Sequence, residues 1–115
     1  MITLEKKEDL MNVGKMDKIQ FIGLSQINGR PLMESGEFSG KFSVGGRDYF
    51  TLMKRKSSGE SNSFNYTNEL YTFQNGNIIF ENNLFRGRTN FVDLLKVMRG
   101  DLNNFEETYS KINLN

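Results

Sequence analysis

Apolar and polar residues alternate with a period of two through the middle of the chain and change to a period of nearly four after residue 88. The alternation is cleanest from Glu37 to Val44. There Phe38, Phe42 and Val44 fall on one side of an extended chain and Glu37, Ser39, Lys41 and Ser43 on the other. Gly45-Gly46 can adopt the positive backbone dihedrals of a two-residue hairpin, so the chain is predicted to return from Arg47 to Lys56. That register sets Phe42 opposite Tyr49, Phe38 opposite Met53 and Glu37 opposite Lys54. A second hairpin is predicted from Phe64 to Gln74, turning at Asn75-Gly76 and returning from Asn77 to Phe85, with Phe73 opposite Ile78 and Tyr71 opposite Phe80. Ahead of both, Lys18 to Ile27 is a β-rich run that closes on Asn28-Gly29 and reads as the first strand. Lys56 to Ser63 has no apolar anchor and is expected to be a mobile loop joining the hairpins.

Past Arg86-Gly87-Arg88, the residues Phe91, Leu94, Leu95 and Met98 stand at i, i+3, i+4 and i+7, one stripe of an amphipathic helix. Thr89 or Asn90 would cap it and Gly100 would end it. A second short helix is expected after Gly100, with Asn104 and Glu107 at capping-box spacing and Leu102, Phe105, Tyr109 and Ile112 facing inward. Residues 1–17 are mainly charged and polar, with scattered Ile2, Leu4, Leu10, Met11 and Val13, and read as an N-terminal tail or short helix. Residues 18–115 then form a single domain. Its class is α+β: an antiparallel β-sheet of about five strands, built on two Gly-turned hairpins, curved or half-barrel, packed against one or two C-terminal helices. Ten phenylalanines and no tryptophan supply the bulk of its core.

Composition bears on chemistry chiefly through what is missing. The 115 residues include no histidine and no cysteine. Ser-His-Asp and Cys-His catalysis, structural zinc, His-type catalytic zinc and disulfides therefore lose the groups they require. Carboxylates remain: Glu34 and Glu37 flank Gly36, Glu106 and Glu107 share a helix, and Asp93 and Asp101 flank the first predicted helix. Two positioned carboxylates can hydrolyse a glycoside, which makes a carboxylate-dependent hydrolase a minor alternative. None of these acids has informative spacing, so catalytic, cofactor-binding and metal-binding residues are each expected to be none. The glycines of Gly36-x-x-x-Gly40-Lys41 fall one residue short of a phosphate-binding loop, and Phe42 stands where its Ser or Thr belongs. Within a strand, Gly36 and Gly40 are better suited to relieving curvature. Arg99-Gly100-Asp101 spells an integrin-binding tripeptide, but its setting is a helix boundary.

Fifteen basic against 14 acidic residues give a net charge of +1, which argues against a surface built throughout to attract polyanions. A local basic patch is the surface feature to test. Arg47 leaves a hairpin turn, Lys54, Arg55 and Lys56 lead into the polar loop, and Arg86 and Arg88 bracket Gly87. These six are the candidate partner-binding residues. Tyr66 and Tyr71 should lie on opposite faces of their strand, so one stacking platform can use only one of them. With no basic-then-apolar leader and no run of about 18 apolar residues, the expected location is the cytoplasm, away from membranes. Fourteen asparagines and a single proline match the composition of proteins from AT-rich bacterial and bacteriophage genomes. The reading is a small non-enzymatic protein acting through a surface on another protein, of host or phage, as an inhibitor or adaptor encoded by a phage or mobile element. The alternative partner is a nucleic acid held on a basic and aromatic sheet face. An unpaired sheet edge would allow a homodimer.

Overall fold

The computed structural model describes residues 1–57, 59 and 62–113. Among them the chain forms β1 (Ile2–Thr3), a 3₁₀ helix (Lys7–Asn12), β2 (Lys18–Leu24), β3 (Pro31–Val44), β4 (Arg47–Ser57), β5 (Ser63–Gln74), β6 (Asn77–Asn90) and α1 (Leu94–Asn113). The fold is α+β, with a mostly antiparallel, curved sheet packed against a C-terminal helix. Strands β2 to β6 follow one another as a meander, and β6 comes back to pair with β2 in parallel at Gly23–Ile78 and Leu24–Ile79. This short pairing closes the sheet into a five-stranded ring. The rest of that β2 edge is taken by β1, through Ile2–Ile19 and Thr3–Gln20.

Both predicted hairpins form at their glycines. Gly45 and Gly46, and Asn75 and Gly76, all have positive φ, the geometry that matches the right-handed twist of paired strands. Near the turns the registers are as expected: Phe42–Tyr49, Phe73–Ile78 and Tyr71–Phe80. Farther out the first hairpin departs from expectation. A β-bulge between Phe38 and Gly40 moves the register by one, so Phe38 faces Leu52 and Glu37 faces Met53. The bulge also breaks the alternation of β3: Phe38 packs inside the ring, whereas Phe42 packs outside it, under α1. The strands are longer than the hydrophobic pattern suggested. β3 begins at Pro31, where the missing N–H does no harm at a strand start, and β6 runs on to Asn90 past two further irregularities, at Glu81 and Arg86. β4 reaches Ser57 and β5 starts at Ser63, which shortens the expected loop; Ser58, Glu60 and Ser61 lie outside the described residues.

The ring is filled by Ile19, Phe21, Phe38, Phe50, Leu52, Tyr71 and Ile78, all buried. Phe21 meets Phe50 and Tyr71 edge-on at centroid distances of 5.3 and 4.8 Å. Burying each such phenylalanine is worth about 2–3 kcal/mol. Residues 1–17 take part as well. Leu4 and Leu10 are buried in the same cluster, and Asp9 holds the start of the 3₁₀ helix by accepting hydrogen bonds from the backbone N–H groups of Glu5 and Lys6.

One helix of about 30 Å replaces the two short ones expected. Gly100 does not end it. Among the described residues α1 buries Leu94, Met98, Asp101 and Phe105, spaced i, i+4, i+7 and i+11 on one face; the Ile112 side chain, expected to face inward, lies outside the described residues. Phe91 and Leu95, read from the sequence as part of the inner stripe, point outward. Two apolar clusters lie beneath the helix, Met53, Phe64 and Tyr66 with Leu94 and Met98, and Phe42, Tyr49 and Leu70 with Phe105. Gly40 lets the helix sit this close, because a Cβ there would stand 2.6 Å from Cδ2 of Leu102.

Candidate functional site

The six basic residues singled out from the sequence do not form one patch, although Arg86 and Arg88 line one groove. Arg47 is at the turn end of β4, about 30 Å of strand from Lys56 at the other end. Lys54 and Arg55 are adjacent and therefore face opposite sides of the sheet. Lys54 turns to the inner face, where its ammonium reaches Glu34 and Glu69. Arg55 turns to the outer face and pairs with Glu37. Lys56 is exposed, in the row Lys56–Asn65–Arg88 that crosses β4, β5 and β6. Arg86 is the extra residue of the irregularity opposite Tyr66 and Thr67, and its Nε lies 2.8 Å from Oδ1 of Asp101 on α1. Three of the six are thus engaged by carboxylates of the same chain. Glu34 and Glu37 are likewise on opposite faces of β3 and do not form a carboxylate pair.

At the corner where β6 turns into α1 the outer face has a different character. Asn90 accepts a hydrogen bond from the N–H of Asp93 at 3.0 Å, and the N–H of Val97 bonds to Asp93 O, so the helix starts from a fixed turn. That turn carries Phe91, Val92 and Leu95 outward at 56%, 91% and 56% exposure. The Phe91 ring packs against Phe64 with centroids 5.1 Å apart, and the guanidinium of Arg55 lies beside this pair, 5.0 and 5.1 Å from the two centroids. Its Nη1 is buried with no hydrogen-bond partner among the described residues. Lys96 and Arg99 are exposed on the adjoining helix surface, and a shallow groove of about 730 Å³ beside it is lined by Arg86, Arg88 and Lys96. The corner therefore joins apolar, aromatic and cationic groups. A second apolar stretch lies on the outer side of the β2–β3 hairpin, where exposed Ile22 and Met33 pair.

Behind the corner, Asp101 is 1% exposed between the two apolar clusters. It accepts a 2.6 Å hydrogen bond from Nδ2 of Asn68, whose own carbonyl accepts from Ser39 Oγ at 3.0 Å. Burial pushes the Asp101 carboxyl up, against the opposing effect of Asn68 and Arg86. Asp101 ties the helix to the sheet, so the acidic residue of the Arg99-Gly100-Asp101 tripeptide is buried while Arg99 and Gly100 are exposed.

The inner face holds a second polar group of residues, at the open end of the ring. Lys54 on β4 stands between Glu34 on β3 and Glu69 on β5, with the Tyr71 hydroxyl 2.6 Å from Glu69 Oε2 and 3.1 Å from Glu34 Oε2. Burial, reinforced by its two acidic neighbours, drives the Tyr71 hydroxyl far above the ordinary tyrosine range, so it remains a donor. Burial opposes the charge on Lys54, but the hydrogen bonds to Glu34 and Glu69 outweigh it and raise its pKa. Of these four residues the sequence pointed to Lys54 as a cation, Glu34 as an acid and Tyr71 as a stacking residue. Glu69 carried no signal, because its role depends on a register across three strands.

Among the described residues no three carboxylates converge into a metal-ligand set, and no helix is long and apolar enough to cross a membrane. Fold and surface together define a small α+β domain in which a closed β-meander carries a helix on its outer wall and apolar side chains at the corner between them. Comparison with family models, curated proteins and solved structures finds no match.

Proposed function

We propose that this is a small non-enzymatic binding protein of the cytoplasm that docks on another protein through the β6–α1 corner, as an inhibitor or adaptor. The observation that carries this reading is the exposure of Phe91, Val92 and Leu95 where a hydrogen-bonded turn leads into α1. Contiguous exposed apolar groups beside an arginine held by aromatic rings are the chemistry of interface anchors. The exposed cations around them, Lys96 and Arg99, fit a partner whose apolar contact is rimmed by Asp and Glu.

The test places a photo-crosslinking amino acid at Val92 or, in a separate protein, at Met33, and irradiates each in host lysate with and without Leu95→Asp. The expected result is one protein captured from Val92 alone, lost in the Leu95→Asp variant, with acidic residues in the crosslinked peptide. Capture from Met33 instead would move the interface to the β2–β3 hairpin and overturn the reading. Capture unaffected by Leu95→Asp, or crosslinks to nucleic acid with steep salt dependence, would do the same. Crosslinks only between copies of this chain would make the corner a homodimer contact.

A further inference from the structure

Closure of the ring leaves one long strand edge unused. Beyond Ile79, its last residue paired with β2, β6 has β5 on one side and, among the described residues, no strand on the other. In an antiparallel pair alternate residues turn their N–H and C=O groups away from the partner. This edge therefore presents a row of backbone donors and acceptors that no strand of the chain takes up.

The groove of about 730 Å³ runs along that edge. Arg88 and Thr89 are adjacent and so belong to opposite faces of β6, yet both line the groove, which places it where the two faces meet. Its other wall is one stripe of α1 and its lead-in, Asp93, Lys96, Val97 and Gly100, spaced i, i+3, i+4 and i+7. Gly100 is exposed, and nothing stands within 4 Å of where its Cβ would be. That end of the wall has room for a backbone. A strand edge facing a helix across a groove is the setting in which an extended segment of another chain adds to a sheet, the main chain giving affinity and the side chains specificity.

Two features select the occupant. The groove is cationic, with Arg86, Arg88 and Lys96 against one carboxylate, Asp93. Arg86 bonds to Asp101 through Nε and to Tyr66, which takes up only part of the donors a guanidinium has. The irregularity at Arg86 also limits the regular edge to residues 87–90, a length of about 14 Å, which suits a short segment rather than a long strand. A second copy of this chain is ill suited, because two-fold pairing of the edges would set these cations against their own counterparts.

We propose that the groove takes an extended acidic segment of a partner protein, added as a strand to β6 at residues 87–90, with its carboxylates on Arg86, Arg88 and Lys96. Asn90 and Asp93, which line the groove, bracket Phe91 and Val92 in the chain, so the segment enters beside the exposed corner. The proposal rests on the docking reading for the partner being a protein, but its test reads peptide binding instead of capture from lysate, so either can fail without the other.

The test is an amide NMR titration of the folded protein with a seven-residue peptide in which glutamate alternates with threonine. Saturable shifts are expected at Thr89, Val97 and Gly100, and none with the counterpart carrying lysine for glutamate. Two further peptides are N-methylated at alternate residues, one on each set. The set whose N–H groups face β6 should lose binding about tenfold, while the other set stays close to the parent peptide. Lys96→Glu should weaken binding about fivefold. Gly100→Leu, at an exposed position where leucine is the better helix former, should abolish it by filling the groove. Absence of saturable shifts, equal losses from both methylated peptides, or a Gly100→Leu protein that binds like the parent would overturn the proposal. Tighter binding of an eight-nucleotide oligothymidylate than of the acidic peptide would overturn it in favour of a nucleic acid.

Discussion

Substituting Gly40 by alanine tests whether the β3 bulge locks the helix onto the sheet. Gly40 has φ of +151°, a conformation that side-chain-bearing residues reach at a cost of about 1–3 kcal/mol. Its added Cβ would also meet Leu102 Cδ2 at 2.6 Å. The leucine tip can rotate away only by giving up its packing in the cluster with Phe42 and Tyr49, an overpacking cost of about 1–3 kcal/mol. The expected destabilisation is about 3–4 kcal/mol, a large part of the roughly 5–15 kcal/mol that holds a typical domain folded. Leu102→Ala alone, at a half-buried position, should cost about 1–2 kcal/mol. In the double variant the clash disappears while the backbone strain remains, so the two losses should fall short of additivity by about 1–2 kcal/mol. Urea unfolding followed by far-UV circular dichroism and by tyrosine fluorescence measures all three, with the four tyrosines as probes in a chain without tryptophan. A Gly40→Ala protein within 0.5 kcal/mol of the parent, on the order of the scatter for surface sites, would refute the strain. Strict additivity would refute the contact.

Two further substitutions probe α1. Gly100 is exposed inside the helix, with open space where its Cβ would be, so Gly100→Ala should stabilise by about 0.5–1 kcal/mol in the same urea assay; a loss would mean that the helix breaks there after all. Burial raises the Asp101 carboxyl above its unfolded value, so the folded protein binds that proton more tightly than the unfolded chain. The contribution of Asp101 to stability is then full below about pH 4 and is lost as pH rises through the folded pKa. Asp101→Asn should accordingly raise the melting temperature relative to the parent at pH 7, with the difference shrinking towards pH 3. A gain that grows on acidification would reverse the sign of this linkage.

Around the turns the sequence was a sufficient guide. Gly45-Gly46 and Asn75-Gly76 select a tight hairpin from local backbone chemistry alone, and the pairs adjacent to them follow by counting. Counting failed at the β3 bulge, because one extra residue leaves the apolar-polar pattern looking regular while it turns Phe42 from the inner face to the outer. Gly100 misled for a related reason. Its propensity cost of about 1 kcal/mol is smaller than the gain from seating Phe105 with Phe42 and Tyr49, so the helix continues through it. The stripe expected from Phe91, Leu94, Leu95 and Met98 was half right: Leu94 and Met98 are buried, Phe91 and Leu95 are exposed. The position of β4 and β5 beneath the helix selected Leu94 and Met98 and left the other two outside.

Local patterning and composition by themselves determined the fold class, the two hairpins, the aromatic core and the absence of imidazole and thiol chemistry. These depend on period, turn residues and residue type, which act over a few positions. Tertiary structure alone decided which charges meet. Lys54 sits between Glu34 and Glu69, Arg55 beside the packed rings of Phe64 and Phe91, and Asp101 against Asn68 and Arg86. Each grouping joins residues from separate elements. A ring closed by two residue pairs, and a bulge that resets one strand, fix those meetings through register, and register is a property of the assembled sheet rather than of any segment in it.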